Sequence, residues 1–105
     1  MDLGKLGAAL EMLGSLDPGA LHLHHCAVFL YVAERGSCTY REIEERFGIS
    51  NASASRIVNS LGEHSGHRKA PLGLIRVEID ALEGRRYRVR LTKRGEAVIR
   101  SLQNI

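Results

Sequence analysis

Two cysteines occur in the 105 residues, and neither stands in a pattern that chemistry uses. Cys26 falls inside an apolar helical run and Cys38 in a turn, with no Cys-x-x-Cys spacing and no disulfide framework. Such thiols fit a reducing compartment, and the expected location is cytoplasmic. No apolar run approaches the roughly 18 residues that a membrane span needs, so no membrane association is expected. The first residues carry one lysine, two early glycines and no long apolar block before a small-residue cleavage site, which does not read as a signal peptide. No glycine-rich phosphate loop and no serine beside a base in a recognisable motif is present, and the acidic residues fall on helix surfaces. Neither an enzyme nor a bound cofactor is expected. His22, His25 and Cys26 have the i, i+3, i+4 spacing of metal ligands, and His64 and His67 lie in a long loop. Zinc sites in chains of this size usually declare themselves by paired cysteines, so the expectation is solvated histidines and no metal.

What is present is positive charge, concentrated in one stretch. The formal net charge is +3, yet residues 68 to 94 hold Arg68, Lys69, Arg76, Arg85, Arg86, Arg88, Arg90, Lys93 and Arg94 against Glu78, Asp80 and Glu83. That stretch is +6 and the remainder −3. Charge segregated in this way favours a polyanion approached from one side. Its densest part runs from Glu83 to Thr92, where arginine alternates with apolar residues. Side chains alternate between the faces of a strand, so Tyr87, Val89 and Leu91 are expected toward a core and Arg86, Arg88 and Arg90 on the other side. Arginine keeps its proton and presents a planar donor fork, which suits phosphate. The competing reading is a solvated outer strand face.

At 44% hydrophobic and 26% charged, the chain has room for one modest core. Leu3, Leu6, Leu10 and Leu13 recur at three- and four-residue spacing and predict a first helix, over 1–16, with a narrow apolar stripe. Asp17-Pro18-Gly19 breaks it, and a compact unit over 20–105 follows. Leu21 to Glu34 is apolar on most sides, as a central helix must be, and Arg35-Gly36 ends it. Thr39 and Glu42 have capping-box spacing and start a helix reaching about Phe47, with Tyr40 or Ile43 and Phe47 inward. Gly48-Ile49-Ser50 is a three-residue turn in which glycine closes one helix and Ser50 caps the next. From Asn51 to Leu61 the core stripe is Ala54, Ile57, Val58 and Leu61. Ala52, Ser55, Arg56, Asn59 and Ser60 fall on the opposite, small and polar face. Gly62 to Gly73 reads as a loop. Alternation at Ile75, Val77, Ile79 and again at Tyr87, Val89, Leu91 around Gly84 predicts a hairpin. Thr92 then caps a last helix with Ala97, Val98 and Leu102 on its apolar side.

Helix, helix, three-residue turn, helix, basic hairpin and helix is the order of a winged helix-turn-helix. The expected fold class is therefore α+β, mainly α, with an N-terminal helix and a two-stranded β-wing. In that architecture the helix after the turn enters the major groove, which is about 12 Å wide and admits a helix without bulky outer side chains. Ser50, Asn51, Ala52, Ser53, Ser55, Arg56, Asn59 and Ser60 meet that condition. Arg56 has the donors to pair with a guanine edge, Asn59 with an adenine edge, and Ser50, Ser53 and the first amides can hold phosphate. Thr39, Tyr40, Arg68 and Lys69, with His64 and His67, are candidates for backbone contact. For each, the competing reading is a solvated surface.

From Leu21 to Leu102 the sequence resembles the MarR family of bacterial and archaeal regulators. The matching blocks are Leu21 through Gly36, Thr39 through Leu61, and a wing pattern. That pattern is an acidic residue, any residue, arginine, five residues, Leu-Thr and a nearby glycine, filled here by Glu83, Arg85, Leu91, Thr92 and Gly95. Glu83 replaces the usual Asp, the chain is shorter than is usual, and the 62–73 loop is longer. The resemblance implies that Arg85 sits at the wing tip in or beside a minor groove, held by Glu83 through a charge-assisted bond. It also implies a homodimer through terminal helices, with Leu3, Leu6, Leu10, Leu13, Val98 and Leu102 as the seam; packing of that stripe on its own domain is the alternative. Nothing in the residues selects a small-molecule effector. The expected function is a sequence-specific double-stranded-DNA-binding transcriptional regulator, a repressor, acting as a homodimer. The alternative from another class is a winged-helix protein-interaction or assembly module of a replication or mobile-element system.

Overall fold

Local signals set where the helices start and stop. The structure, a computed structural model, describes residues 1–17, 21–62, 72–79 and 87–105. Helix α1 spans Leu3–Leu16 and opens on Asp2, whose carboxylate accepts from the Lys5 amide. Helix α2 (Leu23–Arg35) ends on Gly36 at φ 80°, and the Gly36 amide donates to the Val32 carbonyl. Helix α3 (Tyr40–Phe47) opens on a reciprocal pair. The Glu42 amide donates to Thr39 Oγ1 and the Thr39 amide to Glu42 Oε1, both at 3.1 Å. It closes on Gly48 in the left-handed region at φ 62°, a conformation that glycine adopts without a Cβ penalty. Helix α4 (Asn51–Leu61) follows, capped by Ser50, and α5 (Lys93–Gln103) is capped by Thr92.

Strands β1 (Ser37–Thr39), β2 (Ile75–Ile79) and β3 (Tyr87–Leu91) form an antiparallel sheet in the order β1-β3-β2. The expected two-stranded wing is thus the outer part of a three-stranded sheet. Cys38, expected in a turn, is the middle of β1, pairs with Val89 and is fully buried. Three residues between two helix signals are too few to show period-two alternation, so a strand this short leaves little trace in sequence.

Val28, Phe29 and Val32 of α2 are completely buried and meet α4, β3 and α5, which makes α2 the central helix. Ala54, Ile57, Val58 and Leu61 supply α4's inner stripe, with Ile43, Leu72, Leu74, Ile75 and Val89 completing the core. Leu13 is the one α1 residue fully enclosed, with Leu16 packed beside it. On α5 the packed positions are Val98, Ile99 and Leu102, while Ala97 faces solvent. None of the described helices is long and apolar enough to cross a membrane.

Candidate nucleic-acid interface

The α3-turn-α4 unit presents its polar face because its apolar stripe is entirely used inward. Gly48 reverses the chain, and the Ile49 amide donates back to Glu44 O at 3.1 Å. Ser50 then accepts from the Ser53 amide at 3.1 Å and donates to Ser53 Oγ, which also receives Arg56 Nη2 at 3.3 Å. Asn51 Nδ2 is held by Glu44 Oε2 at 3.3 Å. Outward, Ser50, Asn51, Ala52, Arg56 and Asn59 are exposed, and Ser53, Ser55 and Ser60 are half-buried at the helix flanks. Arg56 forms no ion pair among the described residues; its hydrogen bond there is to the Ser53 hydroxyl, so its guanidinium keeps donors for a ligand.

Grooves lie on both flanks of α4. One, of about 430 Å³, is lined by Tyr40, Asn51, Ser55, Asn59, Val77 and Tyr87. Burial, and secondarily Tyr87, pushes the Tyr40 hydroxyl above its ordinary pKa, so it stays a protonated donor there. The other, of about 580 Å³, is lined by His22, His24, His25, Ile49, Ser53, Arg56, Ile57 and Ser60. A third groove runs along α3 past Thr39 and Tyr40 and includes Glu42, Glu44 and Glu45 beside Arg41 and Arg88. An anion reaching Thr39 there meets carboxylates, and the Thr39 hydroxyl already caps α3.

The hairpin's two faces differ from the alternation expected. Ile75, Val77 and Ile79 pair with Leu91, Val89 and Tyr87 on one face, but burial fails toward the tip: Ile75 is 0% exposed, Val77 42% and Ile79 66%. Tyr87, expected in the core, is 52% exposed because nothing in the described structure covers the sheet that far out. On the other face Arg76 pairs across with Arg90, and Glu78 with Arg88. Glu78 bridges two cations, Arg76 Nη2 at 2.8 Å and Arg90 Nε at 3.0 Å, while Arg88 Nη1 donates to Ser37 Oγ at 3.2 Å. The row of cations is therefore partly neutralised within the sheet. Glu78 lies 12 residues from Arg90, and only the strand register brings them together.

Arg68, Lys69, Glu83, Arg85 and Arg86, with His64 and His67, lie outside the described residues. Among the described residues no group of three or more His, Cys, Asp or Glu side chains could hold a metal ion. On the terminal helices Leu3, Leu6 and Leu10 are exposed, whereas Leu13 is enclosed and Val98 and Leu102 are half-buried against their own core. The stripe of the sequence thus divides into an inner end and an outer face.

No family model and no curated protein matches this sequence. Solved structures do match. The RV1404 protein of Mycobacterium tuberculosis has a TM-score of 0.73 at 16% identity over 95% of this chain and 62% of its own. A MarR-like transcriptional regulator from Thermotoga maritima has a TM-score of 0.69 at 23% identity, over 99% of this chain and 74% of its own. A mutant MarR from E. coli complexed with operator DNA has a TM-score of 0.67 at 15% identity, over 95% and 66%. This chain spans less than two thirds of the length of the Mycobacterium and E. coli proteins. The fold is that of a MarR-like winged helix-turn-helix.

Proposed function

We propose that this chain binds double-stranded DNA in a sequence-specific manner and acts as a transcriptional repressor. Its α4 lies in a major groove and its hairpin lies against backbone or an adjacent minor groove. The observation that carries the reading is the outer face of α4. Ala52, Arg56 and Asn59 stand clear of solvent-excluding neighbours, the side chains are small enough for a groove, and Arg56 is free of acid partners among the described residues. The E. coli MarR of similar fold is complexed with operator DNA, which supports the same use here. Arg56 and Asn59 are assigned to base edges, and Ser50, Ser53 and Ser60 to phosphates. Arg85, Arg86 and Arg88 are assigned to the wing contact, with Arg90 secondary because Glu78 holds it.

A dimer fits the exposed Leu3, Leu6 and Leu10, since a short helix with an uncovered apolar stripe gains by burying it against a second copy. Two copies of α4 then meet grooves about one helical turn, roughly 34 Å, apart. Selection of bound duplexes from a random pool tests the reading. The expected result is an enriched, twofold-symmetric motif with that spacing. Retention of all duplexes without enrichment would indicate an architectural protein, and no retention at low salt would favour the protein-interaction module.

A further inference from the structure

The histidines on one flank of α4 have no part in the reading above. His22, His24 and His25 stand at the start of α2 within four residues of one another, and the fold sets them beside Ser53, Arg56 and Ser60 of α4. His22 and His24 are exposed, His25 is half-buried, and the His22 and His25 rings lie 5.4 Å apart between centroids, tilted by 39°. The His24 ring lies 6.4 Å from that of Phe47 on α3, and Arg46 lies over the same Phe47 ring, 5.5 Å from its centroid. Among the described residues, the titratable and charged groups lining this flank are the three imidazoles and Arg56 from α4, with Arg46 of α3 beside Phe47, and no carboxylate lines the groove.

An α-helix with its side chains is about 10 to 12 Å across, and the major groove is about 12 Å wide. A helix seated there brings both of its flanks against the two phosphate walls. One flank of α4 is the tyrosine-lined groove beside the hairpin, and the other is this histidine-lined one. We propose, resting on the DNA-binding reading, that the histidine flank is a second phosphate-contact surface. There His22 and His24 donate to the sugar-phosphate backbone bordering the groove that holds α4, together with the Ser53 and Ser60 hydroxyls.

His25 has a different part. Its Nδ1 accepts the His22 backbone amide at 3.4 Å, which requires an unprotonated Nδ1. Burial, and secondarily the two neighbouring histidines, hold His25 below its ordinary pKa and preserve that acceptor. His25 therefore positions His22. An imidazole donates to phosphate when neutral and adds a cation when protonated, so the contact takes up protons and strengthens as pH falls.

The test is duplex affinity of the full chain at pH 8.0 and pH 6.0, at fixed ionic strength, on random-sequence duplex and on any selected site. The parent is expected to bind about tenfold tighter at pH 6.0, as a mean uptake of about half a proton across those two pH units gives. The pair His22→Asn with His24→Gln keeps a capping side chain at the helix start and is expected to reduce that ratio to about twofold or less, and to lower the salt slope by about one to two units. His24→Arg, a permanent cation at the same place, is expected to restore tight binding at pH 8.0 and flatten the profile. Circular dichroism and denaturation of each variant establish that α2 is intact. A His22→Asn, His24→Gln chain with the parent's pH profile and salt slope would overturn the inference while leaving DNA binding standing. Failure of the parent to bind duplex at either pH would remove both.

Discussion

A Cβ on Gly95 would collide with the carbonyl oxygen of Leu74. The first turn of α5 rests directly on the backbone leading into β2, and the same Leu74 oxygen accepts the Thr92 amide at 3.0 Å. Because the obstacle is backbone rather than a movable side chain, Gly95→Ala is expected to destabilise the protein by about 1 to 3 kcal/mol or more. Urea denaturation measures it, and an unchanged midpoint would contradict the close approach.

Thr92 has two duties. Its Oγ1 accepts from the Gly95 amide at 3.0 Å and donates to Gly73 O at 2.5 Å, which ties the start of α5 to the segment before β2. Thr92→Val keeps the shape and loses both bonds, and a lost cap costs about 0.5 to 2 kcal/mol. Thr92→Ser should recover most of that loss in the same denaturation experiment.

Arg56→Ala is expected to cost about 1 to 3 kcal/mol at one or two base positions and little elsewhere, if Arg56 reads a base edge. Affinities measured across a set of single-base substitutions of a selected site separate this from a phosphate contact, whose loss would weaken all sequences alike.

Glu78 holds Arg76 and Arg90 on the outer face of the sheet. Glu78→Gln removes the carboxylate and releases both cations, so duplex binding at low salt should strengthen and its salt dependence steepen, at about −0.9 in the log-log slope per added phosphate contact. Arg90→Ala should weaken binding less than Arg88→Ala. Binding isotherms at four salt concentrations decide both, and an unchanged slope in Glu78→Gln would place this face away from DNA.

Burial pushes the Cys38 thiol up from 9.0 to about 11, with Glu42 adding to the effect and Arg35 and Arg88 opposing it. The folded thiol thus stays protonated where the unfolded one ionises. Stability attributable to Cys38 is intact below pH 9.0 and falls as pH rises from there toward about 11. Native protein should react with a thiol reagent at Cys38 only on unfolding, and Cys38→Ala should show a shallower loss of stability across that window.

Elements whose cause lies within three or four residues were legible in the chain. Thr39 with Glu42 starts α3, Gly48 ends it, Ser50 starts α4, and Ala54, Ile57, Val58 and Leu61 form its inner stripe, all as the spacing predicts. Leu91, Thr92 and Gly95 belong to the wing pattern, one of the three blocks that carry the family resemblance, and the contacts of Thr92 and Gly95 give those two positions a structural role. The candidate reading face followed because a helix with a fully committed apolar stripe has only one face left to expose.

Long-range placement decided the rest. Cys38 is a core residue rather than a turn residue because β3, some fifty positions later in the chain, pairs with it. Leu13 is enclosed while Leu3, Leu6 and Leu10 stay outside, although all four share one helical stripe, because the core reaches only one end of α1. The arginine alternation was visible from the start, but not the carboxylate of Glu78 set against it by the hairpin register. Nor was the flank where His22 and His24 meet Arg56, since helical spacing orders neighbours along one element and only tertiary packing joins the start of α2 to the middle of α4. Sequence by itself determined the helices, their caps and the polar face of α4, because those depend on local hydrogen bonds and periodicity. Tertiary structure alone determined which charges are neutralised and which side chains share a groove, because Coulomb and hydrogen-bond partners are chosen by distance in space.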